Sequence, residues 1–170
     1  MNIVKKSVMI GGKEITFETG KLAKQASGAV IVGSGDSKVL VTAVAETDSP
    51  TNFDFLPLTV NYEDRNGAAG TIPGGYLKRE GGRSEREILI CRLIDRPIRP
   101  MFPKHLRCEL QCIATCMSYD RDHETDVLAL CGAAAAFAIS QAPMLGVIAG
   151  VRICRVNGEY VINPTFDERK

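Results

Sequence analysis

Residues 74 to 83 read Gly-Gly-Tyr-Leu-Lys-Arg-Glu-Gly-Gly-Arg, an aromatic, a leucine and two cations fenced by glycine pairs. Apolar groups stabilise a fold only when they leave water. Tyr76 and Leu77 at a loop tip therefore call for a partner to cover them. The cations beside them belong to a local excess: from Gly74 to Pro100 there are seven Lys or Arg against four Asp or Glu. The whole chain carries a net charge of only +1, so a basic site for an anionic partner has to be local. Arg92 and Arg96 stand four apart and share a helical face, with Arg99 just beyond. That spacing by itself fits a solvated stripe as well as a binding surface.

Other chemistry-bearing groups read less sharply. Gly20-Lys21 lacks the preceding glycine and the following Ser/Thr of a phosphate-binding loop. Asp120, Asp122, Glu124 and Asp126 alternate like a calcium loop, but Thr125 and Cys131 stand where its glycine and bidentate glutamate belong. Acids at a helix amino terminus are the expected reading. His105 and His123 lie beside no nucleophile motif. Cys108, Cys112 and Cys116 are four apart, but structural zinc sites favour closer pairs, so they are expected to be small buried hydrophobes and no metal ligand is assigned.

The elements that must position these groups are legible from period and punctuation. Val8–Ile10 and Glu14–Phe17 flank Gly11-Gly12, a hairpin signal. Gly28–Val32 and Lys38–Val44 flank Gly33–Ser37, which predicts a second hairpin with a longer loop, and Pro57–Tyr62 adds a strand. Residues 66–82, with six glycines and one proline, predict a long functional loop. The capping box Ser84-Glu85-Arg86-Glu87 opens a helix over 84–96, which Pro97 is expected to stop. Residues 106–118 put small or apolar groups at even positions, a strand period. A second, alanine-rich helix is predicted over 125–141, and a last hairpin turns at Asn157-Gly158. The order describes an α+β fold, a mixed β-sheet with helices packed on it.

With 170 residues, 45% hydrophobic and 24% charged, the chain suits one globular core. Its amino terminus lacks a signal-peptide apolar run and no window approaches a membrane span, so no membrane association and a cytoplasmic location are expected, with the six cysteines reduced.

Thr71–Glu80, Arg83–Leu89 and above all Arg92-Leu-Ile-Asp-Arg-Pro-Ile-Arg-Pro-Met-Phe-Pro103 resemble the first RNase PH-like core domain of the polynucleotide phosphorylase (polyribonucleotide nucleotidyltransferase) family. The likeness continues through Phe17–Lys21, Asp54–Tyr62, the alanine-rich helix and Tyr160–Thr165. It implies the RNase PH-like, or ribosomal protein S5 domain 2-like, fold. It further implies a first core domain over residues 1–146 and the truncated beginning of that domain's second part over 147–170.

In that family the loop enters the pore of a homotrimeric ring, where an aromatic pair and two cations grip single-stranded RNA. By resemblance Tyr76, Leu77, Lys78 and Arg79 would bind RNA, with Tyr76-Leu77 replacing the usual Phe-Phe. Arg92, Arg96 and Arg99 match basic positions along the RNA path at the active-site periphery, and Arg83 matches an active-site arginine loop of simpler relatives. The implied activity is reversible, phosphate-dependent 3′-to-5′ degradation of mRNA to nucleoside diphosphates. Inorganic phosphate is co-substrate and Mg²⁺ the cofactor, both bound by a second core domain; a helical domain and KH and S1 modules complete the family's architecture, sometimes in an assembly with other RNA-degrading enzymes. The acidic Glu124-Thr-Asp-Val stands where catalytic relatives carry a phosphate-binding arginine, so no catalytic residue is expected here and the 170 residues alone should be inactive. Asp167 and Glu168 are expected to be exposed terminal residues. A non-catalytic RNA-binding or ring-assembly module is the competing reading, and a cysteine-based metal or redox protein a third.

Overall fold

The computed structural model describes residues 2–50 and 52–169. Six strands form one sheet: β1 (Val4–Ile10), β2 (Lys13–Thr19), β3 (Gly28–Ser34), β4 (Ser37–Pro50), β5 (Leu58–Glu63) and β6 (Cys108–Ser118). Their order is β1-β2-β3-β4-β6-β5. All pairings are antiparallel except β5 with β6. That parallel pair needs a crossover, which contains the long loop and helix α1 (Glu85–Ile98). Helix α2 (Thr125–Ala138) follows β6, and β7 (Ile153–Val156) and β8 (Glu159–Ile162) form a separate hairpin.

The helices cover one face of the sheet. On β6 the even residues Cys108, Leu110, Cys112, Ala114 and Cys116 are buried, as a period of two requires. Burial pushes the Cys116 thiol up to about 11 and Cys112 to about 12, so both remain protonated packing groups at neutral pH. The alanines of α2 let it lie close on β3 and β4, and at Gly132 a Cβ would meet Val41 at 2.6 Å and Val32 at 3.0 Å. Any side chain there would push the helix off the sheet. Tyr62 is fully buried; its hydroxyl shares a 2.6 Å hydrogen bond with Thr125 Oγ1, and its N–H reaches Cys91 Sγ at 3.1 Å. One residue thus fastens β5 to both helices.

Five expected turns and boundaries are corrected. The second hairpin has a two-residue turn: β3 continues to Ser34, which pairs with Ser37. Gly35 takes φ +56° at the first turn position, where a tight type II′-like turn calls for glycine. Pro97 does not stop α1, which runs on to Ile98 and then into a 3-10 turn, Arg99–Met101. Proline at that place forfeits one bond, while Ile94 and Ile98 are completely buried and Arg99 N–H still reaches Asp95 O, so packing holds the last turn. Helix α2 ends at Ala138, short of 141; the Ser140 hydroxyl donates to Phe137 O and accepts from Ala142 N–H, turning the chain ahead of Pro143. The predicted strand over 106–118 begins at Cys108, and the helix expected over 84–96 starts one residue later, with Ser84 as its cap.

Candidate nucleic-acid interface

Residues 64–84 rise from the end of β5 and return to the start of α1. The first leg contains a 3-10 turn, Asn66–Ala69, closed by Gly70. At the far end Tyr76 is 98% exposed and Leu77 64%, with Lys78 and Arg79 also exposed. Lys78 takes φ +48°, a left-handed conformation uncommon for a side chain of its size, just after Gly75 at φ +81°. The turn therefore places Tyr76 and Leu77 outermost, with the two cations immediately behind. Neither Lys78 nor Arg79 is in an ion pair among the described residues.

The return leg is fixed by the capping box. Ser84 Oγ accepts from Glu87 N–H, while Glu87 Oε2 accepts from Ser84 N–H at 2.6 Å. Glu87 Oε1 also accepts from Asp64 N–H at 2.9 Å, joining the helix start to the end of β5. Burial opposes the Glu87 charge, but these hydrogen bonds outweigh it and hold its carboxyl below the usual range.

Beyond the box, Arg83, Arg92 and Arg99 line one groove of about 260 Å³ between α1 and β5, together with Asp95 and Ile88. The groove does not include Arg96 or the loop tip. Arg92 and Arg96 are exposed and in no ion pair among the described residues, so both are available to an anion. Arg99 is placed differently. It donates to Asp95 through Nε at 3.1 Å and Nη2 at 2.7 Å, and to the carbonyls of Leu56 at 2.9 Å and Leu58 at 3.1 Å. That bidentate pair with two carbonyl contacts staples the end of α1 to the start of β5.

A second arginine cluster escaped the sequence reading. Arg86 lies 3.6 Å from Asp64 and 3.4 Å from Glu124; Arg169 donates to Glu124 at 2.8 Å; Arg152 lies 3.9 Å from Glu124 and also pairs with Asp126. Burial pushes the Glu124 carboxyl up, but the Arg169 hydrogen bond and the charges of Arg152, Arg169 and Arg86 outweigh it, leaving it below its ordinary value. Glu124 and Asp126 do stand at the α2 amino terminus, as cap residue and in the first turn, but Glu124 makes no capping hydrogen bond and serves the arginines as well. Asp120 has its own task. It accepts from the N–H groups of Asp122 and His123, from Ser37 Oγ and from the backbone of Asp36, binding the β3–β4 turn to the start of α2. Glu168 is exposed as expected, yet it pairs with Lys13 and accepts from Thr165 N–H. The arginines of the Glu124 cluster, Arg86, Arg152 and Arg169, lie far apart in the chain, and no local pattern joins them to Glu124.

Residues 11–143 match the family described as the 3′ exoribonuclease family, domain 1. A polyribonucleotide nucleotidyltransferase of Geotalea uraniireducens is 53% identical over 164 residues, 96% of this chain and 24% of the relative. One from Magnetococcus marinus is 53% identical over 167 residues, 98% of this chain and 24% of the relative. The chain thus spans about a quarter of the length of the curated relatives it matches. Among solved structures, rice (Oryza sativa) Rrp46 superposes with a TM-score of 0.69 at 14% identity, covering 91% of this chain and 69% of that one. An Archaeoglobus fulgidus exosome with RNA bound to the active site superposes with a TM-score of 0.63 at 18% identity, over 98% of this chain and 67% of that one.

Proposed function

The chain belongs to the 3′ exoribonuclease family as an RNase PH domain 1, and from that premise we propose that it is the RNA-gripping first core domain of a polyribonucleotide nucleotidyltransferase. The enzyme shortens single-stranded RNA, including mRNA, from the 3′ end with inorganic phosphate, releasing nucleoside diphosphates. The observation that carries this reading is the loop tip, where the exposed Tyr76 ring stands beside two cations that have no carboxylate partner among the described residues. An aromatic face takes any base, and cations track the phosphates, so the pair binds a strand without reading its sequence. Arg83 and Arg92, in the α1 groove, and Arg96 on the same helix continue the basic path. Arg99 contributes by fixing α1 against β5 at the wall of the groove.

Among the described residues no group of three or more His, Cys, Asp or Glu side chains is placed to hold a metal ion. These residues do not fit a Mg²⁺ site. In this reading Mg²⁺ and phosphate are held by a second core domain, and residues 147–170 open the second part of the first. The location is cytoplasmic and the assembly a homotrimeric ring, for which the exposed Ile88, Leu89 and Leu93 on α1 offer apolar contact area. That same surface favours the alternative in which the domain serves assembly alone.

The two readings part on one experiment. In the complete enzyme, Lys78→Ala with Arg79→Ala should weaken binding of a long oligo(A) about tenfold or more. It should also lower the salt slope of binding by about 1.4, at roughly 0.7 per lost single-strand phosphate contact. Unchanged affinity and slope would leave the tip as an assembly contact.

A further inference from the structure

The two legs of the loop are held differently. On the first leg Thr71 N–H donates to Asn66 O at 3.0 Å, Tyr119 N–H to Ala68 O at 3.0 Å, and Arg121 Nη2 to Ala69 O at 3.3 Å. From Ile72 to Arg79, among the described residues, no hydrogen bond or ion pair reaches the body; Lys78 N–H to Gly75 O at 3.4 Å stays within the loop. The first tether on the way back is Glu80. Its Oε1 accepts from Asn66 N–H at 2.8 Å, and its Oε2 lies 3.8 Å from Arg65 Nη1. Gly81 and Gly82 follow, and then the capping box with its own link to Asp64.

We propose that Glu80 is a positioning residue for RNA, clasping the two legs at Asn66 so that Tyr76, Leu77, Lys78 and Arg79 are presented on a short, closed segment; this rests on the RNA-gripping reading above. Without the clasp the untethered stretch extends from Ile72 through Gly81 and Gly82 to the helix cap. A longer stretch with two glycines samples more conformers, and fewer of them present ring and cations together. Apparent affinity falls with that fraction. The choice of a carboxylate is informative. A negative charge next to Arg79 weakens attraction for phosphate, so its electrostatic effect on RNA is adverse and its use lies in the hydrogen bond it accepts.

The test sets position against charge in the complete enzyme, with Glu80→Ala and Glu80→Gln. Two quantities are read: the dissociation constant for a long oligo(A), and the rate of tryptic cleavage after Lys78 and Arg79 in the folded protein. Glu80→Ala should weaken RNA binding about three- to tenfold and speed cleavage at the tip, with thermal unfolding unchanged. Glu80→Gln keeps an amide oxygen for Asn66 N–H and loses the adverse charge, so it should bind at least as tightly as the parent. Tighter or unchanged RNA binding by Glu80→Ala, unchanged cleavage, or a Glu80→Gln variant as weak as Glu80→Ala would each overturn the proposal. Failure of the RNA reading itself shows separately, as a Lys78→Ala, Arg79→Ala protein that binds RNA normally; the clasp's role in RNA binding then falls with it.

Discussion

At the loop tip Lys78 and Arg79 are exposed with no carboxylate partner among the described residues, while around Glu124 the guanidiniums of Arg86, Arg152 and Arg169 converge on acids. Both regions gather cations. They differ in what their charges already hold. A cation paired inside the fold has to break that pair before it can take an anion, whereas an unpaired exposed one loses only water. The Glu124 cluster is therefore architecture. It joins the start of α1 through Arg86, the start of α2 through Glu124 and Asp126, and the carboxyl-terminal segment through Arg152 and Arg169. Glu124 and Asp126 are matched by arginines and spend their charge within the protein.

The largest test of this contrast is Glu124→Gln, which leaves three guanidiniums without their shared anion. It should lower unfolding free energy by about 2–3 kcal/mol, less than for a fully buried pair because the arginines keep water contact. For a chain of this length that is roughly 5–10 °C in melting temperature. RNA affinity of the folded fraction should be unchanged, and a large loss of affinity at unchanged melting would erase the contrast.

Acid titration sharpens the same point. The folded Glu124 and Asp120 carboxyls both lie below their ordinary values of 4.5 and 3.8, so the stability they contribute is complete above those values and is lost as pH falls through the folded ones. Burial raises the Asp64 carboxyl despite Arg86, so its contribution has the opposite sign and offsets part of the loss. Unfolding free energy should be level from about pH 7 to 5.5 and decline below about 4.5. Glu124→Gln should flatten that acid limb, and an unaltered limb would assign it to other groups.

What was legible in the sequence was local. Glycine pairs and Asn157-Gly158 mark turns because few residues accept their backbone angles, the alternation of β6 follows from one buried face, and the capping box needs only neighbouring residues. The loop tip was legible because exposed apolar and cationic residues between glycines have no structural use. What stayed hidden depends on partners distant in the chain. Pro97 is tolerated because Ile98 packs into a core built from other elements. Arg99 is drawn inward by Leu56 and Leu58, and Arg86 by Glu124. Of the two glutamates at the base of the loop, Glu87 reads as a cap, while the reach of Glu80 back to Asn66 leaves no pattern in the sequence.

Within the tip, the ring and the cations separate by their response to salt. Tyr76→Ala should weaken long-RNA binding towards the lower end of the roughly 1–3 kcal/mol of a base–aromatic stack, because the ring stands 98% exposed and its neighbour Leu77 has no π-face to sandwich a base. The salt slope should stay the same, since stacking releases no counterions. Folding stability should not change for a side chain 98% exposed. A reduced salt slope in this variant would mean that Tyr76 orients the cations and does not itself take a base.

The smallest effect is expected at Leu77, and it tests what an aliphatic neighbour does beside the ring. Leu77 is 64% exposed and offers RNA a methyl surface with no π-face. Leu77→Phe supplies a second stacking platform on the same turn, and the gain should stay below about 1 kcal/mol, because in this reading Tyr76 would already hold the strand and a larger side chain on an exposed loop loses more rotamer freedom when ordered. The gain should appear on RNA long enough to reach the tip and vanish on a dinucleotide. If Leu77→Phe binds long RNA no more tightly while Tyr76→Ala weakens it, only one base is held at the tip, and the work of gripping passes to Lys78, Arg79 and the arginines of α1.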